Sequence, residues 1–273
     1  MSVKARKTII AGNWKMNKTV AEAKALALAV VQGMDKELAG ETLPDVVLCP
    51  TFVCLSEVLS VLNLKDAKRP LFIGAQNMDH RDSGAFTGEI APPMLTSIGV
   101  THVVIGHSER RQFFGETNES VNLKTKAALA HGLTPIVCVG ETLAERENGT
   151  TDKVIKEQVV AAFKDISEGE ASRVVVAYEP VWAIGTGKNC ESPEANRVCA
   201  HIRSTINEVY ASKVADLIPV LYGGSVKAST IDEQMEQSDI DGALVGGAAL
   251  KAEEFLPIIK GGAKRTKQMA AVK

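Results

Sequence analysis

The chain has 273 residues, 45% of them hydrophobic and 23% charged, and a formal net charge of −2. That is enough apolar material for a large core, and the near-neutral balance gives no electrostatic case for nucleic acid or an anionic membrane as partner. No apolar run approaches the roughly 18 residues of a membrane span, and five scattered cysteines without a C-x-x-C pair argue against a disulfide framework or a zinc site.

The N-terminal stretch MSVKARKTIIAGNWK is basic, but Ile9-Ile10-Ala11 is too short for the apolar part of a signal peptide, so a cytoplasmic location is expected. The first strand-like core, TIIAGNW from Thr8, ends in Asn13-Trp14-Lys15. A helical stretch follows, with Ala23, Ala27, Val30 and Met34 on one face. DVVLCP from Asp45 and LFIGAQN from Leu71 are the second and third cores. The connection after the third, MDHRDSGAFTGEIAPP, is long and loop-like. The fourth core, THVVIGH from Thr101, runs into His107-Ser108-Glu109-Arg110-Arg111. His131-Gly132 reads as a helix C-terminus before the fifth core, TPIVCVG from Thr134. Ile155, Val159, Ala162 and Ile166 mark another helical face. The sixth core, VVVAYEP from Val174, carries a lone acid, Glu179. A helix starts at Ser192-Pro193-Glu194 and runs through Val198, Ile202, Ile206 and Val209. IPVLYGG from Ile218 ends in Gly223-Gly224-Ser225, and GALVGG from Gly242 ends in Gly246-Gly247. Residues 1–262 are expected to form one domain, and the basic tail 263–273, AKRTKQMAAVK, to be flexible, frayed or a short surface extension.

These eight cores are apolar almost throughout rather than alternating, the pattern of strands buried on both faces. Their starts lie 24 to 44 residues apart, room for one helix in each interval. Eight βα units over about 250 residues fit a closed (β/α)8 barrel, with a doubly wound open sheet as the alternative. No G-x-G-x-x-G follows the first core. GTGKN is not a P-loop, because Trp182 stands where the motif needs its first glycine and Asn189 replaces Ser/Thr.

In a barrel the chemistry sits where strands hand over to their following loops. Those ends bring a lysine (Lys15), an imidazole (His107), a carboxylate (Glu179) and two glycine turns. Glycine lets backbone N–H groups approach an anion, and a following helix adds its positive end, so the turns at Gly223-Gly224-Ser225 and Gly246-Gly247 suggest a phosphate. Partial burial makes Glu179 a better base. His80, His102, His131 and His201 read as structural. Base, neutral hydrogen-bond donor, cation and phosphate cradle describe proton abstraction beside a carbonyl. No metal cluster or dinucleotide fingerprint is present in the sequence, so cofactor-free chemistry is expected. A sugar-phosphate aldolase or epimerase, or a non-catalytic barrel, is the competing reading.

GNWKMN, IGHSERRQFFGET, AYEPVWAIGTGK, YGGSV and LVGG, in this order, resemble the triosephosphate isomerase family, and GAFTGE at 84–89 resembles its dimer loop. The resemblance implies the (β/α)8 barrel and the interconversion of dihydroxyacetone phosphate and D-glyceraldehyde 3-phosphate, without cofactor or metal. It implies Glu179 as the base and His107 as a neutral electrophile. That pairing is a standard example of tuned groups in this family, so it is carried by the resemblance alone. Lys15 would stabilise negative charge on the enediolate and phosphate, Asn13 would bind substrate, and Glu109 would buttress the site. Gly185, Ser225, Gly246 and Gly247 would give N–H groups to the phosphate. Pro180, Val181, Trp182, Ala183, Ile184, Gly185, Thr186, Gly187 and Lys188 would form a lid, stiff at its start and loose at its end. A homodimer is implied, with Thr87 reaching toward Asn13 and Lys15 of the partner. The chain departs from the family's pattern after Lys188, where Asn-Cys-Glu-Ser-Pro stands and Cys190 is expected to be exposed and oxidisable, and at Ala249, where the family often has serine.

Overall fold

The computed structural model describes residues 6–62, 70–184, 190–210 and 213–271. Its eight strands are β1 (Ile9–Asn13), β2 (Asp45–Cys49), β3 (Leu71–Ala75), β4 (His102–Ile105), β5 (Thr134–Val139), β6 (Val175–Tyr178), β7 (Val220–Tyr222) and β8 (Gly242–Val245). Each runs parallel to the next, and β8 pairs with β1. The sheet is therefore a closed barrel rather than an open one. Ala11, Cys49, Val104, Ile136, Ala177 and Leu221 fill its interior. The opposite faces pack against the surrounding helices in a second, larger cluster. Both faces are buried, which explains why the strands do not alternate with polar residues.

The helices follow their apolar stripes. Helix Val20–Glu37 buries Ala23, Ala27, Val30 and Met34, and Thr19 with Glu22 forms a capping box at its start. Helix Thr151–Phe163 buries Ile155, Val159 and Ala162, while Ile166 lies past its end and is still buried. Helix Ser192–Tyr210 buries Val198, Ile202 and Ile206, but Val209 in its last turn is 37% exposed.

The tail corrects its expectation. Helix Ala252–Ala271 continues through residues 263–271 instead of fraying after Gly262. Gly262 is no stop signal: a side chain there would come within 2.8 Å of Ile10 Cγ1, so the glycine serves close packing. Beyond it Ala263 is buried, and buried Arg265 donates to the Ser238 carbonyl at 3.1 Å.

His102 opens β4 as a buried imidazole with Thr101 Oγ1 2.8 Å from its Nδ1. Burial, aided by Lys7, pushes its pKa down to about 4. The unfolded chain takes up this proton near pH 6.5, so stability is full above that point and falls as pH drops toward about 4. The loss should reach about 3 kcal/mol. Urea midpoints measured at about pH 7.5 and about pH 4 should differ less in His102→Asn than in the parent. Equal differences would rule His102 out as the source.

Candidate active site

Every residue of the site leaves the barrel at the carboxyl ends of the strands. A cavity of about 620 Å³ there is lined by Asn13, Lys15, His107, Glu109, Glu179, Ser225, Gly246 and Gly247, among others. Glu179 follows β6 directly and is 1% exposed. Its Oε1 lies 2.9 Å from His107 Nε2, and its Oε2 accepts the Ser108 N–H at 2.8 Å. Burial pushes the Glu179 carboxyl up, but His107, the Ser108 amide and Lys15 together outweigh it and hold it below its ordinary value.

His107 caps the helix Ser108–Phe113, its Nδ1 accepting the Glu109 N–H at 3.2 Å. Burial pushes the imidazole pKa down, and Glu179 with Glu109 pushes it up to a net rise. Two influences thus oppose each other. The Glu109 amide, fixed by the helix start, favours a neutral ring with its proton on Nε2. Glu179 favours the imidazolium only while the two side chains touch. Turning the carboxylate toward a substrate therefore leaves a neutral donor at Nε2.

Lys15 has a φ of 51°, a left-handed conformation that a side chain rarely adopts. Its N–H donates to Asn13 Oδ1 at 3.0 Å, and its carbonyl accepts from Gln76 Nε2 at 2.9 Å. Gln76 Nε2 also donates to the Cys49 carbonyl at 2.9 Å, tying the lysine to the end of β2. The ammonium pairs with Glu109 Oε1 at 2.5 Å.

Two glycines pack against Glu179, one on its main chain and one on its side chain. A Cβ on Gly140 would fall 1.7 Å from the Glu179 carbonyl oxygen, and one on Gly223 would fall 3.0 Å from Glu179 Cγ. Gly140→Ala should cost about 3 kcal/mol of stability, the upper end for overpacking, read as a lower urea midpoint. A loss below about 1 kcal/mol would show that strand ends β5 and β6 part without resistance.

The stretch after Glu179 is only partly described. Val181–Ala183 forms a 3-10 turn; Ala183 is buried, and Val181, Trp182 and Ile184 are half-buried. Ala183 and Ile184 line the cavity. Gly185, Thr186, Gly187 and Lys188 lie outside the described residues. Cys190 is not exposed as expected. It is 6% accessible, and burial pushes its thiol up to about 12, so it is a poor nucleophile. Ala249 is buried against Gly12.

Both glycine turns line the cavity, but helix dipoles contribute less than expected. The helix after Ser225 starts only at Ile231, and Gly247–Leu250 is a single 3-10 turn. Gln76 and Glu141 also stand at this end of the barrel. Glu141 is fully buried and accepts from Trp182 Nε1 at 2.8 Å and Tyr178 OH at 3.1 Å. Both are polar residues just beyond strand ends, the same criterion that found Lys15 and His107. Thr87 is exposed on the loop after β3, whose base is held by an Asp79 N–H to Ile90 carbonyl bond of 2.8 Å. Among the described residues no cluster of His, Cys, Asp and Glu could hold a metal ion, and no helix is long and apolar enough to cross a membrane.

The sequence profile described as "Triosephosphate isomerase" matches residues 8–262. The chain is 52% identical over 254 residues to the triosephosphate isomerase of Clostridium botulinum (strain Eklund 17B / Type B), covering 93% of this chain and 99% of that one. It is 52% identical over 254 residues to the enzyme of that name from Clostridium perfringens (strain 13 / Type A), with the same 93% and 99% coverage. Against that of Clostridium tetani (strain Massachusetts / E88) the identity is 50% over 254 residues, covering 93% of this chain and 96% of that protein.

Proposed function

The chain belongs to the triosephosphate isomerase family, and from that premise we propose that the cluster around Glu179 is its active site. Its reaction interconverts dihydroxyacetone phosphate and D-glyceraldehyde 3-phosphate, a step of glycolysis. The observation that carries the site assignment is a buried carboxylate and imidazole 2.9 Å apart in a cavity that also holds Lys15 and both glycine turns.

Glu179 leaves His107 and the Ser108 amide and turns to the carbon beside the substrate carbonyl. Freed of two hydrogen bonds to its charged form, it becomes a stronger base. It takes the proton from one carbon, and the carbonyl becomes an enediolate. His107 Nε2–H donates to the developing oxyanion, and Lys15 supplies positive charge to the same face. His107 gives its Nε2 proton to that oxyanion and takes the hydroxyl proton from the neighbouring oxygen, and Glu179 returns its proton to the neighbouring carbon, so the carbonyl re-forms one position along. Asn13 holds Lys15 in place through its Oδ1 and contacts substrate. The amides of Ser225, Gly246 and Gly247 bind the phosphate, and Gly185 joins them from the lid. The lid spans residues 180–188. Its apolar start, with Ala183 and Ile184 already on the cavity wall, excludes water over the enediolate. No cofactor or metal takes part. A structure with bound glycerol 3-phosphate, which cannot isomerise, should place phosphate oxygens within hydrogen-bond distance of the Ser225 and Gly247 amides. Phosphate bound elsewhere would overturn the assignment.

The same reading makes the protein a cytoplasmic homodimer with one catalytic domain, the turns 263–271 packed onto its barrel. Support for the dimer comes from large apolar side chains left exposed on the segments that follow consecutive strands: Met16 at 93%, Val53 at 77%, Phe86 at 41%, Phe113 at 67% and Phe114 at 68%. Patches of this kind mark association surfaces. Thr87 stands beside Phe86 on the loop that would enter the partner. Sedimentation equilibrium should give twice the 29.1 kDa chain mass, and a monomer at micromolar concentration would defeat this part.

A further inference from the structure

One cation touches both the segment that leaves the base and the helix at which its connection ends. Arg146 lies in the short helix Leu143–Glu147, after β5. Its guanidinium carbon is 4.5 Å from the centre of the Trp182 ring. Its Nη1 lies 3.2 Å from Glu194 Oε1 and 3.5 Å from Glu141 Oε1. Trp182 is three residues past Glu179, and its Nε1 donates to that same Glu141 oxygen. The Val181 N–H donates to the Glu141 carbonyl at 3.1 Å. Glu194 stands in the first turn of helix Ser192–Tyr210, just after the lid region.

We propose that Arg146 is a positioning residue for the isomerisation, a clamp that fixes the first lid hinge against the helix following the second. The proposal rests on the reading of 180–188 as a lid, but its parts are all described side chains. An ordinary surface ion pair contributes little. This one differs because its side chain is only 30% exposed and one of its two acidic partners is fully buried. It also differs because one planar group both stacks on the indole and pairs with carboxylates. A lysine could pair but not stack flat.

The test uses the full-length protein labelled with 5-fluorotryptophan. The chain has two tryptophans, Trp14 and Trp182, so two fluorine resonances are expected, assigned through Trp182→Phe. Glycerol 3-phosphate should move the Trp182 resonance of the parent. Arg146→Ala should shift and broaden that resonance, leave Trp14 in place and lower kcat about fivefold. Arg146→Lys should recover only part of kcat, and Glu194→Gln combined with Arg146→Ala should add little to the loss. If Arg146→Ala fails to fold, Arg146→Lys carries the same comparison. A parent Trp182 resonance that ignores glycerol 3-phosphate would sink the lid reading and the clamp with it. A responsive parent whose Arg146 variants keep its Trp182 resonance would sink the clamp alone, whatever their kcat.

Discussion

Glu179→Gln should lower kcat by about three to four orders of magnitude, the share of the rate that a positioned base supplies. The side chains are nearly the same shape, so the packing of Cγ against Gly223 is kept. The amide oxygen can still accept the Ser108 N–H. What disappears is the ability to take a proton from carbon. Affinity for glycerol 3-phosphate, measured by titration calorimetry, should stay within about threefold, because the proposed phosphate contacts lie elsewhere. Glu179→Asp sharpens the reading. It keeps a carboxylate but draws it back by one methylene, and about 1 Å of misplacement costs on the order of a hundredfold. The expected order is therefore parent, Asp, Gln. A coupled assay that finds the glutamine variant within tenfold of the parent would put the base somewhere else.

Lys15→Met should raise KM and lower kcat together. Methionine keeps most of the length and loses the charge. A hydrogen bond to a charged group is worth about 1.5–3 kcal/mol, so losing contacts to both phosphate and enediolate should cost about a hundredfold or more in kcat/KM. A second effect comes from Glu109, whose Oε1 pairs with the lysine at 2.5 Å. Without the ammonium, that carboxylate stands unneutralised in the cavity proposed to take the phosphate. Adding Glu109→Gln to Lys15→Met should therefore restore part of the binding but little of kcat. Recovery of both would mean that the lysine acts only by cancelling Glu109, not on the transition state.

Much of this arrangement can be read from the residues. Eight apolar cores at βα spacing predict eight parallel strands, although spacing cannot distinguish a closed sheet from an open one. Closure depends on β8 meeting β1, a contact between residues more than two hundred positions apart. Polar residues at strand ends pointed to Lys15, His107 and Glu179, which the fold brings to one cavity. The strand-end rule applies equally to Gln76 after β3 and Glu141 after β5, whose partners only the fold reveals. The basic composition of the tail does not reveal its helix, which packs Gly261 against Ile231 and Gly262 against Ile10. Cys190 was placed in solvent on loop position alone, and burial is a tertiary property that loop position does not report.

The glycines beside the base also limit what can be engineered. His107 and the Ser108 amide hold the Glu179 carboxylate, while its main chain and Cγ press directly on Gly140 and Gly223. Library selection at positions 140 and 223 should return glycine almost alone, while the neighbouring cavity wall at Ala183 and Ile184 tolerates exchange. Attempts to widen substrate range would then do best to leave the empty positions alone and vary that wall.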